Sequence, residues 1–214
     1  TVQEITIDML PQLFESVAAV MEEHSERLCE MDAQMGDGDL GLTMKKGFGA
    51  LPDLLRESDE PDLGKRIAKA GLKMSSVVPS TMGTLMASGL MAAGKSLTGK
   101  TAIGPEELAQ FLAAFAEGIQ KRGKCQPGDR TVLDAIAPAA QAADSAAKQP
   151  GASLSSVAQA ALQGAAQGVE ATRNMTPKFG KAAVFASRAQ EMVDQGAVVG
   201  QLMILGFVNY ISNQ

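Results

Sequence analysis

The sequence predicts an all-α fold, on three observations. Apolar residues recur at alternating spacings of three and four along most of the chain, and the apolar–polar alternation that makes strands is scarce. Hydrophobic residues make up 45% of the chain but aromatics only 4%, with no Trp and twelve Met. An interior of Ala, Leu, Val and Met favours helices, because such side chains lose little rotamer freedom there. At 214 residues the chain can bury a sizeable core without disulfides or a structural metal. No repeat, linker or low-complexity block divides residues 1–214, which we expect to form one domain.

Taken in order, Leu10, Leu13, Val17, Val20, His24 and Leu28 form the stripe of a first amphipathic helix that ends before Gly36. A second helix is expected over 43–55, then a turn at Ser58–Asp62 and a helix through Ile67 and Leu72 that Pro79 breaks. Residues 84–93 are apolar and Ala-rich. Gly99–Pro105 reads as a loop opening a helix, with Glu106 and Glu107 at its positive end and Leu108, Phe111, Leu112, Phe115 and Ile119 on its buried face. That helix should stop near Arg122–Lys124, before a Pro127-Gly128 turn. Two Ala-rich helices over 132–148 and 154–172 are separated by Gln149–Gly151, and the tail from Gly196 reads as a buried helix. The total is about eight helices with short connections.

The net charge of −5, with no basic block, argues against a nucleic-acid partner, and any bound phosphate would need local compensation. Cys29 and Cys125 lie apart with no partner motif, which fits free thiols in a reducing compartment. Thr1–Asp8 lacks a basic segment leading into an apolar run, so no secretory signal is expected. The apolar run 197–210 is interrupted by Gly200, Gln201 and Gly206 and reads as too short for a bilayer. A cytoplasmic protein that binds no membrane is the expectation.

The densest chemistry lies in Asp32–Thr43, where Asp32, Asp37 and Asp39 stand among three glycines between two helices. Carboxylates this close repel one another unless a cation or solvent relieves the field, and hard oxygen ligands suit Mg²⁺ or Ca²⁺ rather than zinc. The calcium-loop template fails, since counting from Asp37 the fifth position is Gly41 and the twelfth is Phe48. Gly36–Gly41 also fits the dinucleotide fingerprint, but no strand precedes it and two carboxylates would occupy the pyrophosphate's place. Gly89–Ser96 matches the P-loop letter for letter, yet it closes a helix where the motif must open one. What remains is a Mg²⁺-carboxylate site for phosphate or a solvated acidic turn.

Two other loops carry cations, Arg122–Thr131 and Lys178–Lys181 with the following Asp194–Gly196 turn; spacing alone reads both as solvated loops. His24, the single histidine, lies on an apolar stripe and reads as a core residue, so no histidine nucleophile or base is expected. Met82, Met86 and Met91 read as core filler.

The Gly36-Asp-Gly-Asp39 loop, Ser75-Ser76 with Gly83, and Pro127-Gly-Asp-Arg-Thr-Val-Leu-Asp134 occur in an order and spacing that resembles the nucleotide-binding L subunit of dihydroxyacetone kinase, over residues 10–208. The resemblance implies a closed barrel of eight antiparallel helices with ADP or ATP at one end. Its phosphates would be bound through Mg²⁺ held by Asp32, Asp37 and Asp39. It also implies that Leu40, Gly41, Leu42 and Thr43 continue the phosphate loop, that Thr81 and Met82 sit near the phosphates, and that Gly123 and Val132 border adenine and ribose. Lys181 falls where the family usually has Arg, and Asp194, Gln195 and Gly196 match its Asp-Pro-Gly turn. Leu40 and Thr43 replace a usual His and Asn, Met82 replaces a Ser, and Pro79-Ser80 lies near a usual Gly-Gly pair.

In such a kinase Asp37, Asp39 and Lys181, or Lys178, would neutralise charge on the transferring phosphoryl group. A separate K-type subunit would hold a small keto sugar and supply any acid or base. The resemblance leaves open whether ATP exchanges or bound ADP is rephosphorylated by a phosphotransferase-system protein, and whether the free subunit is a monomer or a homodimer. Two other classes compete: a non-catalytic Mg-nucleotide-binding adaptor, and a P-loop NTPase centred on Lys95.

Overall fold

The computed structural model describes residues 1–179 and 192–212. Among these it has nine α-helices: α1 (Leu10–Glu23), α2 (Ser25–Met35), α3 (Leu40–Glu57), α4 (Leu63–Val77), α5 (Thr81–Ser96), α6 (Pro105–Gly123), α7 (Leu133–Ala147), α8 (Leu154–Ala171) and α9 (Gln195–Ser212). The expected first helix is in fact two. His24 leaves helical geometry at φ −101°, ψ 7°, yet its amide still reaches the Val20 carbonyl at 3.1 Å, so the apolar stripe runs through the break. The second helix starts at Leu40, three residues earlier than expected, and carries Pro52 within it.

Eight helices close a ring: α1 packs on α3, then α3 on α4, α4 on α5, α5 on α6, α6 on α7, α7 on α8, α8 on α9, and α9 back on α1. An even number of members lets up–down alternation close without a parallel pair. The barrel of antiparallel amphipathic helices expected from the resemblance is therefore present, with α2 as an extra piece against α3. Its interior is filled. Phe207 of α9 meets Phe14 of α1 at 5.9 Å and Phe111 of α6 at 5.8 Å, both edge-on, joining opposite walls through the centre. Neighbouring walls approach closely through small residues: a Cβ on Gly94 of α5 would lie 2.5 Å from the Ala68 nitrogen of α4.

At one end the ring is plugged by a two-residue antiparallel pair that the sequence did not suggest, Ile5 opposite Ile103 and Thr6 opposite Ala102. Both isoleucines are buried. The α9 helix is apolar and long enough to span a bilayer by composition, but most of it is buried within the protein. It is a wall of the barrel.

Alternation decides where the chemistry lies. The helix ends joined as α2–α3, α4–α5, α6–α7 and α8–α9 all fall at the end opposite that plug, and the described candidate residues lie in these helix turns or beside them.

Candidate functional site

The aspartate loop is built around one carboxylate. Asp32, in the last turn of α2, accepts through Oδ2 from the amides of Gly38 (2.9 Å), Asp39 (3.1 Å) and Leu40 (3.2 Å). Asp39 is the N-cap of α3 but makes no cap bond with its side chain, so Asp32 performs that office from seven residues back. Gly38 sits at φ +83°, a conformation other residues adopt only with strain. The geometry leaves Asp37 and Asp39 exposed at the surface and Asp32 half-buried beneath them.

The first turn of α3 divides its residues. Leu40 is buried in the core, Leu42 is 62% exposed and Thr43 is half-buried. Gly41 is buried against α2, where a Cβ would drive into the Ser25 carbonyl oxygen and stand 2.9 Å from Cys29 Sγ. This glycine therefore has a packing reason as well as any part in a phosphate loop.

Two clefts flank the α4–α5 connection. One, of about 330 Å³, is lined by Asp39, Leu42, Thr43, Lys46, Val77, Val78, Pro79 and Ser80. The other, of about 740 Å³, runs from Pro79, Ser80 and Thr81 at the N-terminus of α5 to Gly123, Cys125, Thr131 and Phe179. Pro79 and Ser80 are shared, so the aspartate loop and the larger cleft adjoin. Ser80 caps α5 by accepting from the Gly83 amide at 3.0 Å. A helix N-terminus facing a cleft favours an anion.

The remaining loops are braced by buried charges, of which sequence reading singled out Asp194 but missed the bracing parts of Arg130 and Asp134. Asp134 accepts from the amides of Gly128 (2.7 Å) and Thr131 (2.9 Å), shaping the Pro127–Thr131 turn. Arg130, expected as a solvated cation, is only 4% exposed. Its guanidinium donates to the carbonyls of Thr172 (2.9 Å), Met175 (3.2 Å) and Met192 (2.6 Å), tying the α6–α7 connection to both ends of the α8–α9 connection. Asp194 caps α9 through the Ala197 amide at 2.8 Å, and its own amide donates to Thr172 Oγ1 at 2.8 Å. Burial pushes the Asp194 carboxyl up to about 6; the Ala197 amide and the Arg130 charge pull against that rise, and Asp134 adds to it.

These braces bring most of the expected residues together. Gln195 Nε2 stands 3.4 Å from Asp32 Oδ1, joining the start of α9 to the aspartate loop. A Cβ on Gly196 would lie 3.5 Å from Met82 Sδ and 3.6 Å from the Val132 nitrogen. Thr81 and Gly123 line the larger cleft, while Val132 is buried behind it as the N-cap of α7. Lys178 lies 3.7 Å from Asp129, and Lys181 falls outside the described residues.

Among the described residues no three His, Cys, Asp or Glu side chains form a group that could hold a metal ion. Asp32, Asp37 and Asp39 thus do not make a ready-formed cage. Their chemistry nevertheless fits Mg²⁺: hard carboxylate oxygens, two of them on exposed side chains, on a glycine-bearing loop beside a cleft.

The competing motifs lie elsewhere. Gly89–Ser96 forms the C-terminal half of α5 with no strand before it; Gly94 packs on α4, and a Cβ on Gly89 would meet the Phe115 ring at 2.5 Å. His24 is half-buried with Nδ1 2.9 Å from the Val20 carbonyl, in a separate groove beside Arg27, Leu162 and Leu205.

Comparison with known proteins agrees with this architecture. The model of the DAK2 domain family matches residues 34–209. Human triokinase/FMN cyclase is 31% identical over 202 residues, covering 94% of this chain and 35% of that protein. The ADP-binding subunit DhaL of PEP-dependent dihydroxyacetone kinase from Escherichia coli K12 is 27% identical over 185 residues, covering 86% of this chain and 88% of that protein. The chain thus spans about a third of the length of triokinase/FMN cyclase but most of DhaL. The crystal structure of dihydroxyacetone kinase from C. freundii in complex with AMP-PNP and Mg²⁺ superposes with a TM-score of 0.68 at 25% identity, covering 94% of this chain and 34% of that one.

Proposed function

The chain belongs to the DAK2 domain family, and from that premise we propose that it is the nucleotide-binding subunit of a two-component kinase for dihydroxyacetone or a related keto sugar. The observation that carries this reading is the aspartate loop, pinned by Asp32 at the edge of paired clefts where three other loop ends converge. It is supported by a relative, matched over most of both chains, whose name describes an ADP-binding kinase subunit. We read residues 1–214 as one nucleotide-binding domain.

In this proposal Asp37 and Asp39, with Asp32 beneath them, hold Mg²⁺. Bound there, the metal would draw electron density from the phosphoryl oxygens and offset their charge. The chain's own contribution is positioning. Leu40, Gly41, Leu42 and Thr43 offer the first turn of α3 to the phosphates, and Thr81 and Met82 offer that of α5. Gly123 and Val132 border adenine and ribose, while Asp194, Gln195 and Gly196 hold the start of α9 against the aspartate loop. Lys181 adds a cation for the transferring group. The one histidine of the chain is turned to a different groove, which supports assigning any general acid or base to a K-type partner. Two free cysteines suit a cytoplasmic setting.

Turnover tests this directly. Mixed with a K-type subunit, dihydroxyacetone and Mg²⁺, the chain should yield phosphorylated dihydroxyacetone with either ATP or a phosphotransferase-system protein as donor. A second reading, a non-catalytic nucleotide-binding adaptor, is motivated by Leu40 being buried and Leu42 apolar, which leaves Thr43 as the polar side chain of that turn. Tight Mg²⁺-ADP binding with no product from any short ketose would favour it.

A further inference from the structure

Phe179 stands out by where it is. Among the described residues Phe14, Phe48, Phe111, Phe115 and Phe207 are buried in the core, whereas Phe179 is 41% exposed on the wall of the larger cleft. A ring left in water at a cleft wall is not held there by core packing. Lys178 Nζ lies 5.8 Å from its centroid and 3.7 Å from Asp129 Oδ1, so the neighbouring cation is itself tied to the α6–α7 loop. The same cleft is walled by Leu85 of α5, by Gly123 at the end of α6 and by Cys125. Its volume, about 740 Å³, is far more than phosphates alone require.

We infer that Phe179 is the platform on which the nucleobase stacks. The inference rests on the nucleotide reading above and extends it. Phosphates at the aspartate loop lie on one side of Pro79-Ser80, and the larger cleft, which opens at Thr81 in the first turn of α5, lies on the other. The rest of the nucleotide must then enter the larger cleft, where Phe179 is the aromatic among the described lining residues. Stacking uses the π-face that every base presents, so this contact selects for ring area and not for an edge pattern. The site therefore takes purine nucleoside diphosphates as a class, adenine and guanine alike, ahead of pyrimidines.

The chain has no Trp, so Phe179→Trp places a single indole reporter in the cleft. Adding ADP with Mg²⁺ should quench and shift its fluorescence. In calorimetry Phe179→Ala should weaken Mg²⁺-ADP and Mg²⁺-GDP binding about tenfold, the size of one lost base stack. Phe179→Leu, which keeps apolar bulk without the π-face, should lose most of the same affinity. Mg²⁺-pyrophosphate, which has no base, should bind the parent and both variants equally. The inference is overturned if Phe179→Ala binds ADP like the parent, or if it loses pyrophosphate affinity as much as ADP affinity, since the residue would then act through the loop. A parent chain that binds no nucleotide sinks the nucleotide reading itself, and this inference with it.

Discussion

Asp32 offers the sharpest separation of structure from chemistry. Its Oδ2 accepts three amides, at 2.9, 3.1 and 3.2 Å, and in doing so caps α3. Hydrogen bonds to a charged acceptor contribute ~1.5–3 kcal/mol each when buried. Here the loop is at the surface, with Asp39 exposed, so water replaces much of what is lost. A capping residue removed to Ala typically costs ~0.5–2 kcal/mol, and the three-fold acceptance puts Asp32→Ala near the top of that range, about 2 kcal/mol. For a chain of this size each kcal/mol shifts Tm by about 2–4 °C, so the expected drop is about 4–8 °C. Asp32→Asn keeps one carbonyl acceptor without the charge and should lose about half as much. Circular dichroism at the helical minimum during a thermal scan measures both. A shift of under about 1 °C for Asp32→Ala would refute the assignment of Asp32 as the loop's anchor.

Two further outcomes follow from packing and burial. Gly41→Ala forces a methyl into the Ser25 carbonyl and should destabilise by ~1–3 kcal/mol in urea unfolding; Gly49→Ala, on the same helix with nothing within 4 Å of the new carbon, should stabilise by ~0.5–1 kcal/mol. Equal effects at the two positions would show that α2 and α3 are not in close contact. Asp194 has a folded pKa of about 6 against an ordinary 3.8, so it binds its proton more tightly in the folded chain, and its contribution to stability falls by about 3 kcal/mol as pH rises from about 4 to about 6. Asp194→Asn keeps an oxygen for the Ala197 amide but does not titrate. The variant's stability relative to the parent should therefore rise across that window and stay flat above it, and a pH-independent difference would contradict the burial argument.

The helices were legible because each carries its own apolar stripe, and because Pro79, the Pro127-Gly128 turn and Gln149–Gly151 punctuate the chain at real helix ends, whereas their closure into a ring was implied by the family resemblance alone. The break at His24 was not, since one residue leaving helical geometry keeps the 3.6-residue phase of the stripe. The paired Ile5–Thr6 and Ala102–Ile103 are too short for alternation to register. At the site, glycines and carboxylates drew the eye to Asp32–Thr43, but the division of labour inside that loop depends on which amides one carboxylate faces. Arg130 shows the limit most clearly. A cation in a Pro-Gly turn reads as solvated, and its burial depends on carbonyls some 42 to 62 positions away.

The central claim is that the aspartate loop and its clefts bind a nucleotide through Mg²⁺, and calorimetric titration with ADP, with and without Mg²⁺, tests it most directly. The account predicts binding that depends on Mg²⁺ and is abolished by Asp37→Asn, a substitution that weakens the fold far less than it weakens binding. Binding that is indifferent to both Mg²⁺ and Asp37→Asn, or no binding by the parent chain, would contradict it.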